Sequence, residues 1–189
     1  MERKTEYFTG CAGYYGVSTG TSLSTIKETF PQERDWTCGL ACFRTLLSAT
    51  YDPVISEDTL IKYLQRKPGP VSSEDFIGYK HLFETDTYKL QLGAEKPIEN
   101  NLCGELTTLL KTHNVMVACT LNGGHWLVIL GYLDLGTIEE DKIIFYDPYY
   151  NDVRTFRADE FLSMWVSTDG DLDHDYIAVP KGDLNETYI

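Results

Sequence analysis

Two long apolar runs joined by a glycine turn constrain this chain more than any other feature. Val115-Met116-Val117-Ala118-Cys119-Thr120-Leu121 and His125-Trp126-Leu127-Val128-Ile129-Leu130-Gly131-Tyr132 flank Asn122-Gly123-Gly124. Unbroken apolar runs of this length, rich in β-branched and aromatic residues and bounded by turn residues, read as buried strands. Lys142 to Asp147, closed by Pro148, reads as a third strand, and Tyr176 to Val179 as a last one. The N-terminal half has a helical period instead. Leu40, Ala41, Leu46 and Leu47 form an apolar stripe on a helix from Cys38 to Thr50, ended by Tyr51-Asp52-Pro53. Ser56 is placed to cap a second helix carrying Leu60, Ile61 and Leu64. Ser72-Ser73 is placed to cap a third that runs to about Phe83, after the Lys67-Pro68-Gly69-Pro70 turn. Glu105 to Lys111 and Ala158 to Trp165 read as further helices, and residues 84–101 stay ambiguous, with a strand near Tyr88-Lys89-Leu90. Helices first and antiparallel strands second is an α+β pattern, not an alternating βαβ one.

The expected domain covers residues 30–180. A small-residue N-terminal arm over 1–29 precedes it, and a polar tail over 181–189 follows. Its 189 residues suit one domain with its own core. A net charge of −13 repels phosphate backbones and anionic lipid, which argues against nucleic acid and membrane partners and leaves a peptide or protein substrate. No run is long and apolar enough to span a bilayer, and no apolar segment follows the polar opening residues. The five cysteines, Cys11, Cys38, Cys42, Cys103 and Cys119, are odd in number and contain no C-x-x-C pair. That set reads as neither a disulfide framework nor a zinc site, and it suits a reducing, cytoplasmic compartment. The acidic run Asp169-Gly170-Asp171-Leu172-Asp173-His174-Asp175 lacks the calcium-loop pattern. No metal and no cofactor is expected.

The chemistry-bearing residues sit at element ends. Cys38 falls where a loop becomes a helix, and the free N–H groups and positive dipole end there favour an anionic sulfur. Gly39 would let a substrate backbone come close, and Trp36 stands just before the sulfur. Gln32, six residues upstream, offers a side-chain amide that could join the Cys38 N–H in holding an oxyanion. His125 opens its strand after Gly124, beside Trp126, and Asp147 closes the next strand before Pro148. If those two strands are antiparallel neighbours, the start of one lies beside the end of the other. Asp147 would then orient the His125 imidazole toward sulfur. Taken singly, each residue has a plainer reading. Cys38 fits a small core side chain, His125 a histidine at the core edge, and Asp147 a turn residue before proline.

The ordered set Gln32, Cys38-Gly39, Gly124-His125 and Asp147-Pro148 resembles the double-glycine leader peptidases, which are papain-like cysteine proteases. The resemblance implies that Gln32, Cys38, His125 and Asp147 are the oxyanion glutamine, nucleophile, base and orienting acid. Gly39, Trp36, Gly124 and Trp126 would flank the substrate. Asp35-Trp36-Thr37-Cys38-Gly39-Leu40-Ala41-Cys42 is also similar to the W-D-C-G-L-A-C segment of the guanylyl cyclase domain-containing proteins. So are the Gly124-to-Tyr132 strand and the stretch from Phe145-Tyr146-Asp147-Pro148 to Val179. Three functions therefore remain open. The first is a papain-like peptidase or amidase working through a thioester. The second is a nucleotide cyclase, as that family name implies. The third is a peptide-binding module on the same fold, with the N-terminal arm in its cleft. A Cys-His-Asp set suits acyl transfer, and the sequence shows no Gly-rich phosphate loop for a triphosphate.

Overall fold

The computed structural model describes residues 22–23, 26, 28–49, 55–64, 67–77, 86–91, 106, 109–121, 124–165 and 173–180. The helical half supplies α1 (Cys38–Leu47), α2 (Glu57–Leu64) and α3 (Ser73–Ile77). The strands are β1 (Ser22–Leu23), β2 (Asp86–Gln91), β3 (His113–Cys119), β4 (His125–Leu133), β5 (Lys142–Asp147), β6 (Asp152–Arg157) and β7 (Asp173–Pro180). A helix α4 (Ala158–Met164) lies between β6 and β7, and residues 109–112 make a helical turn before β3. The strands form one seven-stranded sheet in the order β2-β7-β3-β4-β5-β6, with β1 joined to β4, and every pairing is antiparallel. The expected tail over 181–189, the end of the third helix over 78–83 and most of the arm over 1–29 lie outside the described residues.

β4 is unbrokenly apolar because it is covered on both faces. Trp126, Val128 and Leu130 point into one cluster with Leu40, Phe43, Leu46, Leu60 and Phe76 of the three N-terminal helices. Leu127 and Ile129 point into a second cluster with Leu106, Leu110, Phe161 and Trp165. Side chains alternate along a strand, so the two faces take alternate residues. Tyr132 has the parity of the first set yet lies in the second cluster. The pairing of β4 with β5 slips between Ile129 and Gly131, and one extra residue reverses which side chain faces which layer. Beyond that bulge β1 pairs with Gly131 and Tyr132.

The segment ahead of the loop that leads to Cys38 is stitched to the end of α1. Ile26 is buried in the core. The Ser48 hydroxyl both accepts from the Glu28 N–H, at 3.2 Å, and donates to the Glu28 carbonyl, at 2.9 Å. The Phe30 N–H donates to Thr45 Oγ1 at 3.1 Å. Part of the segment expected to be a loose arm is therefore paired and packed. Two strands among the described residues, β1 and β6, were not foreseen by the sequence reading, and β6 is the longer. Its Asp-Val-Arg-Thr-Phe-Arg series alternates without an apolar run, as suits an edge strand. No helix among the described residues is long and apolar enough to cross a membrane.

Candidate active site

Cys38 opens α1, as a loop running from Gln32 delivers it there. Thr37 is the N-cap residue, but its hydroxyl is spent on the loop. It donates to the Arg34 carbonyl and accepts from the Arg34 N–H, both at 3.0 Å. No side chain among the described residues caps α1, and no acidic residue occupies its first turn. The first N–H groups and the positive end of the helix thus stay uncompensated beside the Cys38 sulfur. The same loop is pinned by the start of α2. Glu57, fully buried, accepts from the Glu33 N–H at 3.2 Å and faces Arg34 Nη1 at 3.7 Å. Burial raises the Glu57 carboxyl above its ordinary range, against the nearby Thr37 hydroxyl and the Glu33 N–H bond that favour its charge.

β4 and β5 bring His125 and Asp147 together by register. Val128 pairs with Tyr146, which puts Asp147 opposite Leu127 and diagonal to His125, two residues back on the same face. His125 Nε2 and Asp147 Oδ1 are 2.8 Å apart, with the carboxylate fully buried and the histidine nearly so. Cys38 is near enough to act on the charge of His125, and with Nε2 on Asp147 the imidazole nitrogen left free is Nδ1. Burial works against a charged imidazole, but the bond to Asp147, the nearby Cys38 and the charges of both outweigh it, so His125 is pushed up to about 9. Burial likewise opposes a charged Asp147. The hydrogen bond and charge of His125, with the Tyr149 and Tyr150 N–H groups, still hold it below the usual carboxylate range. The Tyr149 N–H donates to Asp147 Oδ1 at 3.0 Å. The Tyr149 ring, 57% exposed, stands edge-on to the imidazole at a centroid distance of 6.5 Å.

The cysteines among the described residues separate by surroundings. Cys38 is half-buried, whereas Cys42 and Cys119 are buried. Cys42 donates to the Trp126 carbonyl at 3.2 Å, and burial raises its thiol well above the ordinary range. Burial pushes Cys119 up to about 12. Both are inert core thiols.

The remaining sequence candidates fall in two groups. Gln32 is tied to the site through its backbone, its N–H donating to the Pro148 carbonyl at 3.1 Å. Its side-chain Nε2 donates to the Arg34 carbonyl at 2.9 Å, and its Oε1 is buried with no hydrogen-bond partner among the described residues. One Nε2 hydrogen is thereby used and a second is left. Gly124 is exposed with φ of +113°, a conformation that only glycine adopts freely, and it turns the chain into His125. Trp36 is half-buried against the first cluster. Gly39 and Trp126, read from sequence as substrate contacts, face each other inside the protein. A Cβ on Gly39 would lie 2.9 Å from Trp126 Cδ1 and 3.3 Å from Phe76 Cζ. Trp126 is 5% exposed, with its indole N–H donating to the Val71 carbonyl at 2.8 Å. The glycine thus lets α1 close onto β4, and the space its side chain would take is filled by the protein's own rings. Sequence reasoning passed over Tyr149 and Arg154, both of which border Asp147. Two adjacent tyrosines following Asp147-Pro148 were the available signal. An open hollow lined by Leu135, Glu139, Glu140, Lys142 and Arg157 lies at the opposite end of the β4–β5 hairpin.

No family model matches the chain, and no curated protein matches it. Solved structures do. A UfSP from C. elegans superposes with a TM-score of 0.57 at 17% identity, covering 93% of this chain and 36% of that one. The peptidase domain of Streptococcus ComA, a bi-functional ABC transporter involved in a quorum sensing pathway, superposes with a TM-score of 0.55 at 18% identity. That match covers 81% of this chain and 98% of the peptidase domain. The chain therefore spans about a third of the UfSP and nearly the whole of the ComA domain. Both neighbours have the papain-like cysteine peptidase fold, and the α+β architecture described above is that fold.

Proposed function

We propose that this chain is a cysteine hydrolase that cleaves an amide or peptide bond through a thioester on Cys38. One observation carries the reading: a half-buried thiol at an uncapped helix start neighbours a buried imidazole whose Nε2 is held at 2.8 Å by a fully buried carboxylate. That is the nucleophile, base and orienting acid of acyl transfer, supplied by three separate elements. The peptidase fold of the solved neighbours supports it. The Cys38 sulfur attacks the substrate carbonyl carbon and a tetrahedral oxyanion forms. The Cys38 N–H and the second hydrogen of Gln32 Nε2 hold that oxyanion. His125 passes its proton to the leaving nitrogen as the C–N bond breaks, which leaves the acyl group on sulfur. Water, deprotonated by His125, then attacks the thioester, and the acid departs as the sulfur is restored. Asp147 keeps the ring oriented throughout and stays ionised. The substrate class is a peptide or protein.

The cyclase resemblance finds no matching family model, and a thiol–imidazole–carboxylate set does not address the phosphates of a nucleotide. The test is to trap the acyl-enzyme. The protein is incubated with mixed peptide and isopeptide substrates, quenched in acid and weighed intact. An adduct on Cys38 that hydroxylamine removes, absent in Cys38→Ala, is the expected result. Substrate turnover that persists in Cys38→Ala would refute it.

A further inference from the structure

The carboxylate at the centre of the site is only half accounted for. Asp147 Oδ1 takes His125 and the Tyr149 N–H, but Oδ2 is buried and has no hydrogen-bond partner among the described residues. A buried carboxylate oxygen without compensation is costly. What faces it is Arg154 of β6, with Nη1 at 3.5 Å. The register explains the approach. Asp147 pairs with Asp152, so Arg154 is its diagonal neighbour on the same face, as His125 is on the other side. The guanidinium, its side chain 36% exposed, lies over two rings, its carbon 5.2 Å from the Tyr150 centroid and 5.3 Å from that of Phe156. Stacking of this kind fixes an arginine in place without using its N–H groups.

The four groups thus lie in a row across α1, β4, β5 and β6: Cys38, His125, Asp147 and Arg154. In the reactive state proposed above their charges alternate, minus, plus, minus, plus. Without Arg154 the row carries one uncompensated negative charge beside a fully buried carboxylate. The other titratable groups near Asp147 do not supply the balance. Cys42 from α1 and Cys119 from β3 are neutral buried thiols, Tyr146 is a neutral phenol whose hydroxyl donates to Asn151 at 3.0 Å, and Asp152, opposite Asp147 on β6, is a second acid that adds negative charge. We propose that Arg154 is a positioning residue of this site, its guanidinium balancing the charge of Asp147 beside the carboxylate oxygen that His125 leaves free. The proposal rests on the hydrolase reading of Cys38, His125 and Asp147.

Two roles for Arg154 predict opposite signs. As a fixed cation along the row, it opposes the charge on His125, so its removal makes the imidazole harder to deprotonate. As mere packing, its removal would loosen Asp147, weaken the His125 bond and make the imidazole easier to deprotonate. The full chain, isotopically labelled at its four histidines, is titrated by NMR as wild type, Arg154→Met, Arg154→Gln and Arg154→Lys. His125 is assigned by the signal missing from His125→Gln. The expected result is a rise of roughly half a pH unit or more in the His125 midpoint for Met and Gln, with Lys close to wild type. No change, or a fall, overturns the proposal. Alkylation of Cys38 by iodoacetamide, followed against pH in the same samples, judges the underlying reading separately. Loss of His125-dependent reactivity in the wild type would sink the hydrolase assignment, while the titration still decides the role of Arg154.

Discussion

His125 is moved far from its ordinary value by its partners, and the consequence is measurable in stability. Its folded value is about 9 against an ordinary 6.5, so the imidazolium binds its proton more tightly in the folded chain. A raised value contributes stability that is fully present below pH 6.5 and is lost as pH climbs through 9. Between pH 6 and 8.5 that loss amounts to about 2 kcal/mol. At the upper end of this window Cys42 and Cys119, whose ordinary value is 9.0, are still mostly protonated in the unfolded chain, and they act equally in wild type and in His125→Gln. Urea unfolding at the two pH values should show this drop in the wild type and little of it in His125→Gln. Equal pH dependence in both proteins would mean that the His125–Asp147 bond is not what holds the proton. The placement of Cys38, His125 and Asp147 at element ends was legible in the sequence, because a run or a turn marks each end. The environment of Asp147 was not, since it depends on a cross-strand diagonal from β6 and on a turn N–H.

At the level of elements, the closest junction is α1 on β4. The Gly39 position decides how near they come, because the ring of Trp126 occupies the place of a Cβ and is itself tied to the Val71 carbonyl. Alanine at this helical position would gain up to ~1 kcal/mol of propensity. It would also force the Trp126 ring or the helix to shift, at ~1–3 kcal/mol. Gly39→Ala should therefore lower unfolding stability by roughly 1–2 kcal/mol, read as a lower urea midpoint at unchanged slope. A neutral or stabilising result would show that α1 has room to spare, and the packing role assigned to Gly39 would fall. Sequence reading took this glycine for a substrate contact because its place beside the thiol suggested function, and nothing in the spacing shows what lies over a helix. The strands β3, β4 and β5 were legible from their apolar runs. β6 was hidden for the opposite reason, since an edge strand of alternating polar residues carries no run.

Across the whole molecule, one sheet holds the account together. Its two covered faces explain the doubly buried β4, and its register aligns His125, Asp147 and Arg154 along a diagonal. α1, laid on one face, brings the sulfur to the end of that row. The α+β class could be read from the order of helical and strand patterns. The convergence of three elements on one point could only be inferred from antiparallel pairing, because no local pattern encodes a contact between residues 38 and 125. The most direct measurement is the rate at which a chloroacetamide alkylates each cysteine of the native chain at neutral pH, mapped by peptide mass. The account predicts that Cys38 reacts on the order of a hundred times faster than Cys42 or Cys119, and that His125→Ala removes most of that advantage. Cysteines that react at similar rates, or a Cys38 indifferent to the loss of His125, would contradict it.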